Sequence, residues 1–205
     1  MARLELNDEH LSPGDITGLL ADWNAGDQDA MARILPLVYD QLRDAAARHL
    51  SGESRQLTLQ PTALVNEVYI RLVENKRIPM TNRLHFFWFA GTLMRRILVD
   101  YGRRRMSSKR GNGHVAKPLD DSMDGRLGID PALLISLDDA LEKLSRLDHR
   151  QGRIVELKFF CGLSVEEMAE LFQLSPTSIK RDWRVAKLWL ARELKNETHG
   201  ALVAD

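Results

Sequence analysis

Cysteine is almost missing from this chain. Cys161 is the only one in 205 residues, so no disulfide can form within the chain, and a reducing, cytoplasmic setting is expected. Long apolar runs are missing too. Nothing approaches the roughly 18 residues of a membrane-crossing helix, and no membrane partner is expected. The opening MARLELNDEHLSPGD lacks the apolar centre of a secretory leader. Alternating strand patterns are nearly absent, which leaves an all-α architecture. The six histidines are scattered, with no HExxH pair, no Cys–His cluster, no glycine-rich phosphate loop and no nucleophile–base set. An enzyme is therefore not expected, and neither a metal nor another cofactor is implied. An excess of one charge is also lacking: 29 Lys and Arg balance 29 Asp and Glu. Net charge thus offers no argument for a nucleic-acid partner.

What the chain does have is a core and a segregated charge. Hydrophobic residues make up 44%, enough to fold. Residues 103–117 carry six cations and no acid, residues 120–142 seven acids and one cation, and residues 180–195 six cations and two acids. Such blocks create local fields that the sum hides. Whether Asp120, Asp121 and Asp124 shield the basic run beside them, or merely solvate a linker, stays open.

Helical periodicity is nearly continuous. Segments 15–23 and 29–50 read as helices parted by Asn24-Ala25-Gly26, and 51–54 is a break. Pro61 suits a first helical turn, and the helix it opens reaches about Glu74 with Leu64, Val68 and Leu72 on one face. Segment 75–84, with Pro79 inside it, is a loop. A long helix over 85–105 begins apolar and ends basic. Segment 106–129 has glycines, a proline and no clear period, the composition of a flexible linker. Pro131 then opens a helix with Leu133, Leu137, Leu141 and Leu144 at helical spacing. Two further helices, around 151–160 and 164–172, precede a last one from about Pro176, with fraying expected over 196–205. The expected organisation is two small helical domains, 12–105 and 132–195, joined by a flexible linker over 106–131.

The segment LSVEEMAELFQLSPTSIKRDW has the form of a helix-turn-helix. Ser164 with Glu167 makes a capping box. Ala169 is small where two helices must cross. Ser175 caps the second helix and Pro176 fits its first position. Ile179, Trp183, Ala186, Leu190 and Leu194 form one stripe of that helix, while Thr177, Lys180, Arg181, Arg184 and Lys187 form a separate face. In such a unit the second helix enters the DNA major groove with its N-terminal residues at base edges. Arg grips guanine with two hydrogen bonds, and Lys and hydroxyls hold phosphates. Many such turns carry Gly, whereas Gln173 stands here, at a cost of about 1 kcal/mol if the backbone is left-handed.

The segment HFFWFAGTLMRRILVDYGRRR places four aromatics in a row, Phe86 to Phe89. One side of a helix cannot bury four consecutive large side chains, so some must meet a partner, solvent or a second layer. Taken singly, each is expected in a core. Aromatics beside cations also suit a protein that stacks single-stranded bases and grips phosphates. Arg103, Arg104 and Arg105 are expected on phosphates.

Taken in order, TALVNEVYIRL, the loop, HFFWFAGTLMRRILVDYGRRR, the linker and the helix-turn-helix resemble a bacterial RNA polymerase sigma factor of the sigma-70 family, extracytoplasmic-function (ECF) class. The resemblance spans about residues 15–195. It implies regions 2 and 4 without region 3. Region 2 would bind the β′ clamp helices of core RNA polymerase and melt the promoter −10 element. Region 4 would contact the β flap and read the −35 element as duplex. Carried over by position, Leu64, Val65, Asn66, Glu67 and Arg71 would lie at the core-polymerase surface. Asn82, Arg83 and His85 would capture a flipped −10 base, and Arg95, Arg96 and Arg103 to Arg105 would hold the backbone at the melted junction. Thr177, Ser178, Lys180, Arg181, Arg184 and Lys187 would face the −35 duplex. The chain departs from the family pattern at Phe89, where tryptophan is usual, at Arg96, where asparagine is usual, and at Ala63, where an acid is frequent. The resemblance also admits an anti-sigma partner. The alternative is a helix-turn-helix regulator that binds an operator without joining polymerase.

Overall fold

The computed structural model describes residues 13–50, 59–74, 80–108 and 131–203. The basic run beyond Ser108, the acidic residues Asp120, Asp121 and Asp124, and nearly all of the expected linker lie outside the described residues. The described residues are mostly helical, with short turns between the helices: α1 (Pro13–Asn24), α2 (Ala30–Leu50), α3 (Pro61–Glu74), α4 (Arg83–Ser108), α5 (Pro131–Leu147), α6 (His149–Val155), a π-turn (Glu156–Phe160), α7 (Val165–Phe172) and α8 (Pro176–Val203). The prolines at the starts of α3, α5 and α8 sit where a missing N–H leaves no bond unmade.

The first four helices pack as neighbours in chain order, α1 on α2, α2 on α3 and α3 on α4. Ile34, Val38 and Leu42 of α2 meet Val65, Val68 and Leu72 of α3, with Phe86 of α4 closing the same pocket. Leu64, Val65, Val68 and Leu72 are all buried. The expected surface role of Leu64 and Val65 is therefore corrected: both are 0% exposed, because they share the face that packs on α2 and α4.

Helix α4 is the centre of the molecule. Its opposite side packs against α5 and the π-turn, so Ile97, Leu98 and Val99 are buried in succession although they point in three directions. A helix apolar on every side needs a layer on every side. The second layer that the aromatic run demanded is thus the C-terminal body of the same chain. One continuous hydrophobic core runs from Ile16 to Leu194.

That contact depends on the π-turn. Segment 151–160, expected as a single helix, divides at Glu156. The wider turn buries Glu156, Leu157, Phe159 and Phe160 together. It crosses α4 at Gly91, where an added Cβ would stand 3.3 Å from the Glu156 carbonyl oxygen. Gly162 follows with φ 72°, and any Cβ there would collide with Arg48 of α2. The last helix continues through Val203, beyond the expected fraying point.

Candidate nucleic-acid interface

The helix-turn-helix is built by local hydrogen bonds. The Ser164 N–H donates to Glu167 Oε2 at 2.8 Å, and the Glu167 N–H donates back to Ser164 Oγ at 3.1 Å. Each carries a helix-end group that would otherwise lack a partner. Gln173 ends α7 at φ 54°, ψ 43°, the left-handed conformation. The Leu174 N–H then reaches the Ala169 carbonyl at 2.9 Å, which closes the turn. Ser175 caps α8 by accepting the Ser178 N–H at 3.1 Å. Met168, Ala169 and Ile179 fill the angle between the helices and are buried. Asp182, on the inner side of α8, is 4% exposed and pairs with Arg150 of α6 at 2.9 Å.

This framework aims the cationic face outward. Thr177, Lys180, Arg181 and Arg184 are exposed, while Lys187 is half-buried. The Ser178 hydroxyl lies 2.9 Å from Ser175 Oγ, so it belongs to the cap as well as to the face. The side chain of Arg181 is 65% exposed although it lies 3.5 Å from Asp182.

The second candidate surface lies along α4. Asn82 Oδ1 accepts the His85 N–H at 2.9 Å and so caps α4, and Thr81 Oγ1 meets His85 Nδ1 at 2.8 Å. Arg83 stacks 5.3 Å from the centre of the Phe87 ring and reaches Glu167 of α7 at 3.5 Å. Phe86, Phe87 and Phe89 are buried. Trp88 alone of the four is half-exposed, with the Arg153 guanidinium 4.6 Å from its ring centre. Arg96, Arg103 and Arg104 are exposed. The Arg105 side chain lies outside the described residues.

The helix-turn-helix and the α4 surface stand in one chain, and the family model for ECF sigma factors matches residues 13–196, across both. The chain belongs to the ECF sigma factor family. None of the curated proteins matches it. As a sigma factor it serves RNA polymerase in promoter recognition. No helix among the described residues is long and apolar enough to cross a membrane, and no cluster among them has the makings of a metal site.

On the sigma factor's α3, the outward positions are Asn66, exposed, and Glu67 and Arg71, joined by an ion pair at 2.8 Å. Ile70, which sequence reading passed over, is 49% exposed beside them. Arg95, expected on the DNA backbone, is 8% exposed. Its Nη1 lies 3.0 Å from Asp138 Oδ1 of α5, and its Nη2 lies 3.2 Å from Glu156 Oε1 of the π-turn. Burial pushes both carboxyls above their ordinary range, against the pull of Arg95. Burial also acts to raise Glu167, but the Ser164 hydrogen bonds, Gln41 and Arg83 outweigh it and hold this carboxyl below its usual range. Asp138 and Glu156 carried no sequence signal as partners of Arg95. They stand 43 residues away in α5 and beyond that in the π-turn, and only packing brings them to α4.

Proposed function

We propose that the two bodies of this sigma factor divide promoter recognition between them. The α8 face, with Thr177, Lys180, Arg181 and Arg184, reads the −35 element as duplex in the major groove. The α4 surface, with Asn82, Arg83 and His85 at its start and Arg96 and Arg103 to Arg105 along it, holds the melted −10 strand, while Arg95 of the same helix is buried between Asp138 and Glu156. Asn66, Glu67, Ile70 and Arg71 of α3 meet the β′ clamp helices of core polymerase, and the C-terminal body meets the β flap. The observation that carries this reading is the outward cationic face on a capped second helix, in a chain whose family match also covers α4.

No bond is made or broken by the sigma factor. Its contribution is binding free energy that differs between promoter and other DNA. Unstacking a base step costs a few kcal/mol, and stacking a freed base on an aromatic side chain returns about 1–3 kcal/mol. Trp88, the one partly exposed ring of the Phe86 to Phe89 run, is the candidate for this role, in exchange for its contacts with Arg153 and His149. Phosphate contacts by the arginines add a salt-sensitive share. Two weak readers on one chain act together, because the first to bind raises the effective concentration of the second.

The test is transcription by purified core polymerase on pooled genomic fragments of the source organism, with the transcripts sequenced. Adding this chain should produce a set of new start sites sharing −10 and −35 sequences. No start sites beyond those of core polymerase alone would refute the reading. Binding of the chain alone to a defined duplex, unaffected by polymerase, would point to an operator-binding regulator.

A further inference from the structure

Among the described residues few large apolar side chains are exposed: Ile70, Met106, Leu147, Val185 and Leu188. Ile70 belongs to the α3 surface assigned above. Val185 and Leu188 differ from the rest because both stand on α8, three positions apart, where helical side chains are neighbours. Val185 is 45% and Leu188 66% exposed. Apolar residues scattered singly on a surface need no account. A pair set among arginines does.

At about 100° per residue, positions 177, 181, 184 and 188 fall in one row along α8. Leu188 thus continues the row of Thr177, Arg181 and Arg184, all exposed. Arg192, also exposed, follows one turn later, and Val185 lies beside the row one turn after Arg181. Ile179, Ala186 and Leu190 are buried on the opposite side, so the helix cannot turn to hide the pair. From Lys180 to Arg192 the one acid is Asp182, which is buried against Arg150. The surface is therefore apolar in the middle and cationic around it. A DNA major groove has the matching pattern. Its walls are phosphates, and the apolar group on its floor is the 5-methyl of thymine. The row from Thr177 to Leu188 is about 16 Å long, enough to pass about five base steps.

Resting on the −35 reading of α8 given above, we infer that Leu188 and Val185 recognise thymine by its 5-methyl group. Arg181, Arg184 and Arg192 hold the groove walls and present the two side chains to the base edge. Packing on the methyl removes water from both apolar partners. Cytosine has a hydrogen in place of that methyl and an amino donor beside it, so it gives the pair nothing to pack on. Specificity at this point of the −35 element then comes from apolar contact rather than from hydrogen bonds.

The probe is deoxyuridine, which lacks only that methyl and keeps every hydrogen bond of thymine. Duplexes carrying the −35 sequence of the mapped start sites, with each thymine replaced singly, are titrated with holoenzyme formed from core polymerase and this chain. At one or two positions the replacement should weaken binding about fourfold, the effect of losing one buried methyl. Val185→Ala combined with Leu188→Ala should bind thymine and deoxyuridine duplexes alike, whereas Leu188→Met should keep the response. The salt dependence of binding should be the same in all of them, because no charge has changed. If no replacement affects wild type, or if the double variant responds as strongly as wild type, the assignment is overturned. It is also overturned if the double variant fails to retain core polymerase in a pull-down, which gives the pair to the polymerase instead. If the chain directs no start sites at all, the reading of α8 as a −35 reader fails first, and the methyl contact falls with it.

Discussion

Acidification from about pH 7.5 to about pH 5 should cost the folded sigma factor about 2 kcal/mol through His49 alone. His49, near the end of α2, is 6% exposed. Its ring lies 4.9 Å from that of Phe159 and 5.3 Å from that of Phe160, both in the π-turn. Burial lowers its pKa from 6.5 to about 4, opposed by a hydrogen bond with the Phe159 backbone and helped by nearby Arg48. The native state thus keeps His49 neutral, while the unfolded chain takes a proton below 6.5. This stability is complete above the unfolded value and drains as pH falls from 6.5 toward about 4. A gap of that size is worth about 3 kcal/mol in full, of which about 2 is lost by pH 5. Asp138 and Glu156 act in the opposite direction, since their raised values let the native state hold protons more tightly at low pH. His49→Phe separates the two effects, because the carboxyls titrate in both proteins. Urea denaturation of both at the two pH values should show the wild type losing about 2 kcal/mol more than His49→Phe. The same loss in both proteins would refute the argument that burial holds the ring neutral.

Other expectations follow from particular side chains. Gln173→Gly should stabilise the chain by up to about 1 kcal/mol, seen as a higher denaturation midpoint, since the left-handed backbone at φ 54° burdens a residue with a Cβ. Leu64→Ala should lose about 2–5 kcal/mol of stability as a core cavity, whereas Asn66→Lys should weaken binding to core polymerase in a pull-down and leave the denaturation midpoint within about 0.5 kcal/mol. The reverse pattern would place Leu64 at the polymerase surface after all. Arg184→Ala should relax base preference at the −35 element, and Lys187→Ala should weaken binding evenly across sequences and reduce its salt dependence by about one ion. Competition binding with variant promoter duplexes distinguishes the two.

Much of the fold could be read from the chain because its signals are short in range. The capping box of Ser164 and Glu167 involves positions three apart. Pro61, Pro131 and Pro176 mark helix starts because proline forfeits only a bond that those positions do not make. The left-handed turn at Gln173 follows from the tight reversal between α7 and α8. The outward face of α8 was legible for the same reason, since its apolar stripe binds the opposite side into the core.

The rest was invisible because it depends on distant segments meeting. Leu64 and Val65 have the residue types of either a core or an apolar docking surface, and only the presence of α2 and α4 against them decides. The π-turn has no periodic signature of its own; it is an adjustment that lets the Glu156 region cross Gly91. Phe86 to Phe89 announced a second layer without saying which segment supplies it.

Helices, caps, the turn and the apolar stripes were determined by the sequence alone, because hydrogen bonds and steric preferences within four residues settle them. The fate of each arginine was decided only by tertiary structure. Arg95 and Arg96 are adjacent and chemically identical, yet one is buried between Asp138 and Glu156 and the other is in solvent. A charge is placed by whatever the rest of the chain folds against it, and that is not written at its own position.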